Sequence, residues 1–291
     1  MTVQQLILSL VLATMVFSVA LELKLDDFRR VATMPRAVVG GLVPQFVLLP
    51  VATWLVTVAL DLPPSTEAAM MLVAACPGGA LSNYVTHLGR GNTALSVSIS
   101  AVSSVLALVL TPFNFTWMVS TNAATASWLR QLSIDSSDIL WSLLALLAVP
   151  MALGLWIGQR WPASVARLRK PLSRFSLVAL AAFIVGALVQ QRHLLTGQIV
   201  PQFVIVVLHN ALGLVLGAAG ARAFRLERAD ARAVIIEGGM QNSGLALGII
   251  GAQFGGDIGM VIVASLWGMW HIVSGMSLAI HWRNGDARSV A

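Results

Sequence analysis

Glu237 is the residue best placed to do chemistry in this 291-residue chain. It stands in Glu237-Gly238-Gly239-Met240-Gln241-Asn242-Ser243-Gly244, inside a stretch, 233–256, that holds no other charge. That stretch is long enough to cross a bilayer. A carboxylate in hydrocarbon is costly unless something neutralises it, so it marks a functional site by default. The nearest basic residue, Arg232, falls at the expected membrane edge. A bound cation or a proton is therefore the expected partner.

A second polar interruption, Cys76-Pro77-Gly78-Gly79-Ala80-Leu81-Ser82-Asn83, lies earlier in the chain. Pro77 removes a backbone donor, and Gly78 and Gly79 relax the backbone, so a helix is expected to break there. Gly238 and Gly239 are expected to break the later helix in the same way. Freed carbonyls can ligate a cation, and helix N-termini favour anions. Ser82, Asn83, Gln241, Asn242 and Ser243 add hard oxygen donors. Ser96 and Ser100 sit one turn apart on one helix face, with Ser103 and Ser104 near it. Such oxygens suit an alkali cation. Gln45, beside Pro44, and Gln202, beside Pro201, need partners at membrane depth. Gln45 either completes a cation site or bonds to the broken backbone. Helix packing alone is the competing explanation for the glycines.

Other chemistry finds little support. His209 and His271 read first as satisfied buried histidines, and their spacing offers no zinc pair. Neither a G-x-S-x-G elbow nor a phosphate loop occurs, so no enzyme is expected. Cys76 is the single cysteine, which excludes an internal disulfide.

The elements that must hold these residues are membrane helices. The chain is 57% hydrophobic and 10% charged, against about 25% charged in soluble proteins. Nine spans are expected, at 4–22, 38–60, 66–86, 92–112, 138–158, 174–191, 197–219, 231–252 and 258–281. The first is read as retained, and the segment 24–30 after it as a charged loop. Sixteen of the 18 Lys and Arg residues fall in loops on one side, leaving Arg130 and Arg192 on the other. The second side instead carries Asp61, Glu67, Asp135, Asp138 and Asp257. This asymmetry puts the N-terminus outside and the C-terminus in the cytoplasm of a multi-pass protein of the cell membrane. It also argues against nucleic acid as the reason for the net charge of +6. Tryptophans 141, 156, 161 and 282 read as interface anchors, while Trp267 and Trp270 lie deeper.

Val43-Pro44-Gln45-Phe46-Val47 recurs as Val200-Pro201-Gln202-Phe203-Val204, and the two Gly-Gly pairs follow in the same order. An offset of five spans inverts one copy relative to the other. The expected fold is an all-α polytopic membrane protein with inverted-topology repeats, 1–130 with four spans and 131–291 with five. Its two discontinuous helices, spans three and eight, would cross near the midplane, as in alternating-access carriers.

These motifs resemble the bile acid:sodium symporter family. The match rests on Cys76-Pro77-Gly78-Gly79 with Ser82-Asn83, on Gly91-Asn92 with Ala94-Leu95-Ser96-Val97, and on Leu208-His209-Asn210 with Leu212-Gly213. It rests above all on Glu237 with Gly239-Met240-Gln241-Asn242-Ser243-Gly244-Leu245-Ala246, and Trp270-His271 with Ser274-Gly275 extends it. The resemblance implies a compact, bacterial-type, nine-span carrier with interleaved panel and core domains, moving an organic anion inward with sodium. It implies one sodium site at Ser82, Asn83, Ser96, Ser100 and Glu237. A second would use Gln45, Glu237, Met240 and Gln241, the last two partly through carbonyls. Asn242, Asn83 and His271 would meet substrate. Two departures stand out. Ala80-Leu81 replaces Thr-Ala, so Leu81 is expected to reshape the cavity. Gly238 replaces Val, which is expected to add flexibility. The implied partners are a small organic anion, two sodium ions and membrane lipid, with no nucleic acid. A proton-coupled carrier using Glu237 is the main rival, with an intramembrane enzyme and a non-transporting channel or sensor behind it.

Overall fold

A computed structural model describes residues 3–21, 23, 25–190 and 199–288. Lys24 and Arg192, both used in the charge argument, lie outside the described residues. The described chain is helical almost throughout. Its helices are α1 (Val3–Ala20), α2 (Leu25–Val31), α3 (Pro35–Val43), α4 (Leu49–Leu60), α5 (Pro64–Ala75), α6 (Leu81–Leu88) and α7 (Thr93–Thr121). They continue as α8 (Ala123–Gln131), α9 (Ser136–Arg160), α10 (Pro162–Gln190), α11 (Ile199–Ala223), α12 (Arg228–Gly239), α13 (Ser243–Phe254) and α14 (Ile258–Arg288). Five continuous helical stretches among the described residues are long and apolar enough to cross a membrane: 35–60, 93–121, 136–160, 199–223 and 258–286. The protein is thus an all-α polytopic membrane protein.

Proline explains the irregularity between α3 and α4. Residues Pro44–Leu48 form one π turn, with Leu49 N–H donating to the Pro44 carbonyl. Pro50 has no N–H to offer the Phe46 carbonyl four residues back. Asn114 on α7 supplies the missing donor, at 2.9 Å. The second copy of the pentapeptide behaves differently. Pro201 falls in the first turn of α11, where helix N–H groups lack intrahelical partners anyway, so the helix stays regular.

The segment 24–30, expected as a loop, is largely helical. Within α2, Asp26 pairs with Arg29 at 3.2 Å and Asp27 with Arg30 at 3.7 Å, both three residues apart. That spacing puts opposite charges on one helical face, a pattern legible only once α2 is known to lie against α7. The short helix α8 is a second departure. Asn122 opens it by accepting from the backbone N–H groups of Ala124 and Thr125. Asp135 opens α9 similarly, accepting from Ser137 N and Oγ at 2.7 Å each. Those bonds hold its carboxyl below the ordinary range.

The main apolar core is built around α5 and α13, with α1, α7, α9 and α14 packed on it. Met71, Phe115, Ile249 and Trp267 are fully buried within it. Trp141, Trp156 and Trp161 are exposed on or beside α9, as interface anchors should be. Trp267 differs: its indole N–H donates to His209 Nδ1 at 3.1 Å.

The approach of α11 to α12 rests on glycine. A Cβ on Gly213 would come 2.6 Å from the Gly238 carbonyl oxygen, and one on Gly238 would come 2.8 Å from that of Gly213. Gly238 is therefore a packing requirement, not a source of flexibility, and both Gly238 and Gly239 remain helical. The break comes later, at Met240–Asn242. Gly213→Ala should destabilise the protein by about 1–3 kcal/mol through overpacking. Gly186→Ala, with nothing within 4 Å of the added carbon, should leave the thermal midpoint in detergent unchanged or slightly higher.

Candidate ion and substrate site

Two helix interruptions meet. Gly79 N–H donates to the Met240 carbonyl at 3.2 Å, and Asn242 N–H donates to the Pro77 carbonyl at 2.8 Å. Gly78 and Gln241 form an isolated antiparallel bridge. Two helix C-termini, of α5 and α12, and two N-termini, of α6 and α13, therefore converge. Broken backbone at membrane depth requires protein partners, and side chains provide them. Thr111 Oγ1 donates to the Ala75 carbonyl at 2.6 Å. Asn210 Nδ2 donates to the Gly239 carbonyl at 2.7 Å, and Ser274 Oγ donates to Asn210 Oδ1 at 2.6 Å. Asn242 Oδ1 caps α13 by accepting from Leu245 N–H at 2.9 Å.

Glu237, in the last turn of α12, is fully buried. Its Oε1 lies 2.6 Å from Ser82 Oγ, 2.7 Å from Ser96 Oγ and 2.9 Å from Ser100 Oγ. The same hydroxyls face other acceptors. Ser82 Oγ is 2.7 Å from the Gly79 carbonyl, while Ser96 and Ser100 lie 2.8 and 3.3 Å from Asn83 Oδ1. Each hydroxyl has one hydrogen to share between two acceptors. The cluster thus holds more lone pairs than hydrogens, which is the donor chemistry of a hard monovalent cation. Protonating Glu237 adds a single hydrogen, fewer than the contacts that lack one.

The other carboxylate oxygen has a different setting. Glu237 Oε2 and Gln45 Oε1 are buried without a hydrogen-bond partner among the described residues. A Cβ on Gly78 would collide with that Oε2 and come 3.2 Å from Gln45 Nε2. Glycine at 78 keeps this space open. Gln45 Nε2 donates to Gln241 Oε1 at 3.4 Å, and Gln241 Nε2 donates to the Gly238 carbonyl at 3.3 Å. The π turn carries Gln45 to this point. The Met240 carbonyl, in the break after α12, already accepts from Gly79 N–H.

No basic side chain neutralises Glu237 among the described ion pairs. Arg232 is committed elsewhere, with Nη1 and Nη2 donating to Asp286 at 2.7 and 2.8 Å. Its Nη1 also donates to the Gly89 carbonyl, and its guanidinium lies 5.5 Å from the Trp282 ring centre.

The fold gathers Ser82, Asn83, Ser96, Ser100, Glu237, Gln45, Met240 and Gln241 around the crossing. Asn242 caps α13 and lines two adjoining cavities. One is apolar, walled by Met15, Val16, Leu147, Met151 and Leu245. The other, ≈ 170 Å³, reaches Asn83, Ser100 and Asp27. Ala80, not Leu81, lines that second cavity, and Leu81 is 40% exposed. His271 is buried beside Trp267 on α14 and lines neither cavity. Ser103 and Ser104 both donate to the Ser100 carbonyl, and so mainly serve their own helix. His209 has both ring nitrogens engaged, by Trp267 and by Thr53 Oγ1 at 2.8 Å. Sequence reasoning missed Thr111, Asn114 and Asn210 as backbone partners, and Ser274 as the residue that orients Asn210. The proline at 50 signals an orphan carbonyl, but nothing in the sequence says which helix answers it.

Removing the cap at Asn242 should cost about 1 kcal/mol. Asn242→Ala should therefore lower the thermal midpoint, and Asn242→Asp, which keeps a capping oxygen, should restore most of it.

The family model described as "Sodium Bile acid symporter family" matches residues 9–198. A Bacillus subtilis protein, "Uncharacterized sodium-dependent transporter YocS", is 29% identical over 94% of this chain and 82% of its own length. An Arabidopsis thaliana protein, "Probable sodium/metabolite cotransporter BASS1, chloroplastic", is 29% identical over 93% of this chain and 65% of its own. The human "Ileal sodium/bile acid cotransporter" is 27% identical over 85% of this chain and 70% of its own.

Proposed function

The chain belongs to the Sodium Bile acid symporter family, and from that premise we propose how it works. It is a sodium-coupled transporter of an organic anion, not an enzyme. Nine spans make up the carrier, in inverted repeats of four (1–130) and five (131–291), with the interrupted pairs α5–α6 and α12–α13 crossing in the bilayer. The N-terminus is outside and the C-terminus cytoplasmic, because the basic loops fall on one side.

The observation that carries this reading is the excess of lone pairs around Glu237 Oε1. Ser82, Asn83, Ser96, Ser100 and Glu237 hold one sodium ion. The unpartnered Glu237 Oε2 and Gln45 Oε1, with the space left by Gly78, support a second ion there, joined by Gln241 and the Met240 carbonyl. Both ions share one carboxylate, so the second is favoured by burial and by oxygen dipoles more than by charge. Sodium ties α6 and α7 to α12 and fixes the crossing. The substrate anion then binds at the convergent N-termini of α6 and α13, near Asn242 and Asn83.

Coupling requires sodium and substrate to favour the same conformation. Each net positive charge carried inward gains about 2.3 kcal/mol per 100 mV of membrane potential. Two sodium ions with one monoanion would be electrogenic.

Purified protein should be stabilised against heat by sodium and not by potassium, and further by sodium together with its anion. Glu237→Gln should insert and fold but lose sodium stabilisation and sodium-driven uptake into vesicles. Uptake that followed a pH gradient and ignored a sodium gradient would instead establish the proton-coupled rival.

A further inference from the structure

The His209-Asn210 pair on α11 supplies no oxygen to the cation cluster, yet its side chains join several helices beside it. Thr53 on α4 and Trp267 on α14 hold the imidazole of His209. Thr53 Oγ1 lies 2.8 Å from Nε2, and the Trp267 indole N–H donates to Nδ1 at 3.1 Å. All three side chains are buried. An indole nitrogen can only donate. Nδ1 is therefore the acceptor and carries no proton. The ring is then neutral, with its one proton on Nε2, and that N–H donates to Thr53 Oγ1. The other tautomer and the imidazolium both put a hydrogen on Nδ1, facing the indole N–H.

The next residue reaches the ion site. Asn210 Nδ2 donates to the Gly239 carbonyl, and Ser274 Oγ donates to Asn210 Oδ1. Trp267 and Ser274 are seven residues apart, which puts them on one face of α14. That helix thus grips both members of the pair. Gly239 ends α12, two residues beyond Glu237. Gly213, one turn after His209, packs on Gly238. The last turn of α12 therefore follows wherever this part of α11 is held. On the other side, α4 is the helix that continues from the π turn carrying Gln45. The bond from His209 to Thr53 links that helix to α11.

We propose that His209 is a positioning residue for sodium. As a neutral imidazole protonated on Nε2, it locks α4 and α14 to α11 and so fixes, through Asn210, the turn of α12 that carries Glu237. It holds the site in register and passes no proton through it. The inference rests on the reading of Glu237 as a sodium carboxylate.

Nitrogen NMR of the purified full-length protein, isotope-labelled at its five histidines, tests the tautomer. The signals absent from His209→Gln should show an unprotonated Nδ1 and a protonated Nε2. A protonated Nδ1 would overturn the proposal. Thr53→Val should shift the same Nε2 signal, which assigns it if His209→Gln does not fold. Binding of radioactive sodium in detergent tests the positioning. Thr53→Val keeps the side-chain shape and removes the acceptor, and should weaken sodium binding by the folded protein about three- to ten-fold. Thr53→Ser keeps the hydroxyl and should bind within about two-fold of the parent. A role in stability alone would lower the thermal midpoint of Thr53→Val and leave the sodium affinity of its folded fraction at the parent's value. That result would strike this proposal and spare the sodium site. If the parent itself binds no sodium, the reading of Glu237 fails, and the positioning role falls with it.

Discussion

A buried carboxylate with no basic partner among the described residues is the constraint around which this molecule is organised. Glu237 is fully enclosed, yet the nearby Arg232 is turned away and held by Asp286. Three serine hydroxyls crowd one carboxylate oxygen while the other has no donor among the described residues. Hydroxyls soften the burial of charge but do not cancel it. An enclosure so rich in oxygen and poor in hydrogen has the donor chemistry a small cation needs. Under the proposed sodium binding, occupancy of that enclosure would be what couples the ion to conformation.

The cluster exists only because two helices are broken and held broken. Pro77 and the glycines free backbone groups, and α7, α11 and α14 supply Thr111, Asn210 and Ser274 to occupy or orient the replacements. The contact of Gly213 with Gly238 sets the distance of α11 from α12, and so the reach of Asn210 to the Gly239 carbonyl. A shift of the crossing would disturb several satisfied carbonyls together. The site is consequently rigid locally, and motion is better accommodated between groups of helices.

A second network lies at the basic end. Arg232 joins α12 to α14 through Asp286 and to the end of α6 through the Gly89 carbonyl, while Asn92 at the start of α7 donates to Asp230 at 2.8 Å. The elements carrying Ser82, Ser96, Ser100 and Glu237 are thus tied together at their ends as well as at the cluster. Such double attachment lets them move as one body. Gln45 comes from the π turn between α3 and α4, which α7 also holds through the Asn114 bond to the Phe46 carbonyl.

The sequence alone determined the solvent and singled out the residue on which the proposed chemistry turns. Repeated uncharged stretches dictated membrane helices, because unpaired backbone is too costly in lipid, and a lone Glu237 among oxygen donors pointed to a cation or a proton as its partner. Pro77 with two glycines was enough to locate one break. Tertiary structure decided the rest. Gly238 and Gly239 carry the same local signal as Gly78 and Gly79, yet α11 packs on them and keeps them helical, so the second break moves to Met240. The repeated Val-Pro-Gln-Phe-Val is a π turn in one copy and an ordinary helix start in the other. Its neighbours differ there: Asn114 offers a donor to one, and the first turn of a helix needs none. Which oxygens share a space, and which side of α2 faces it, depend on contacts between residues far apart in the chain, and local sequence carries no record of them.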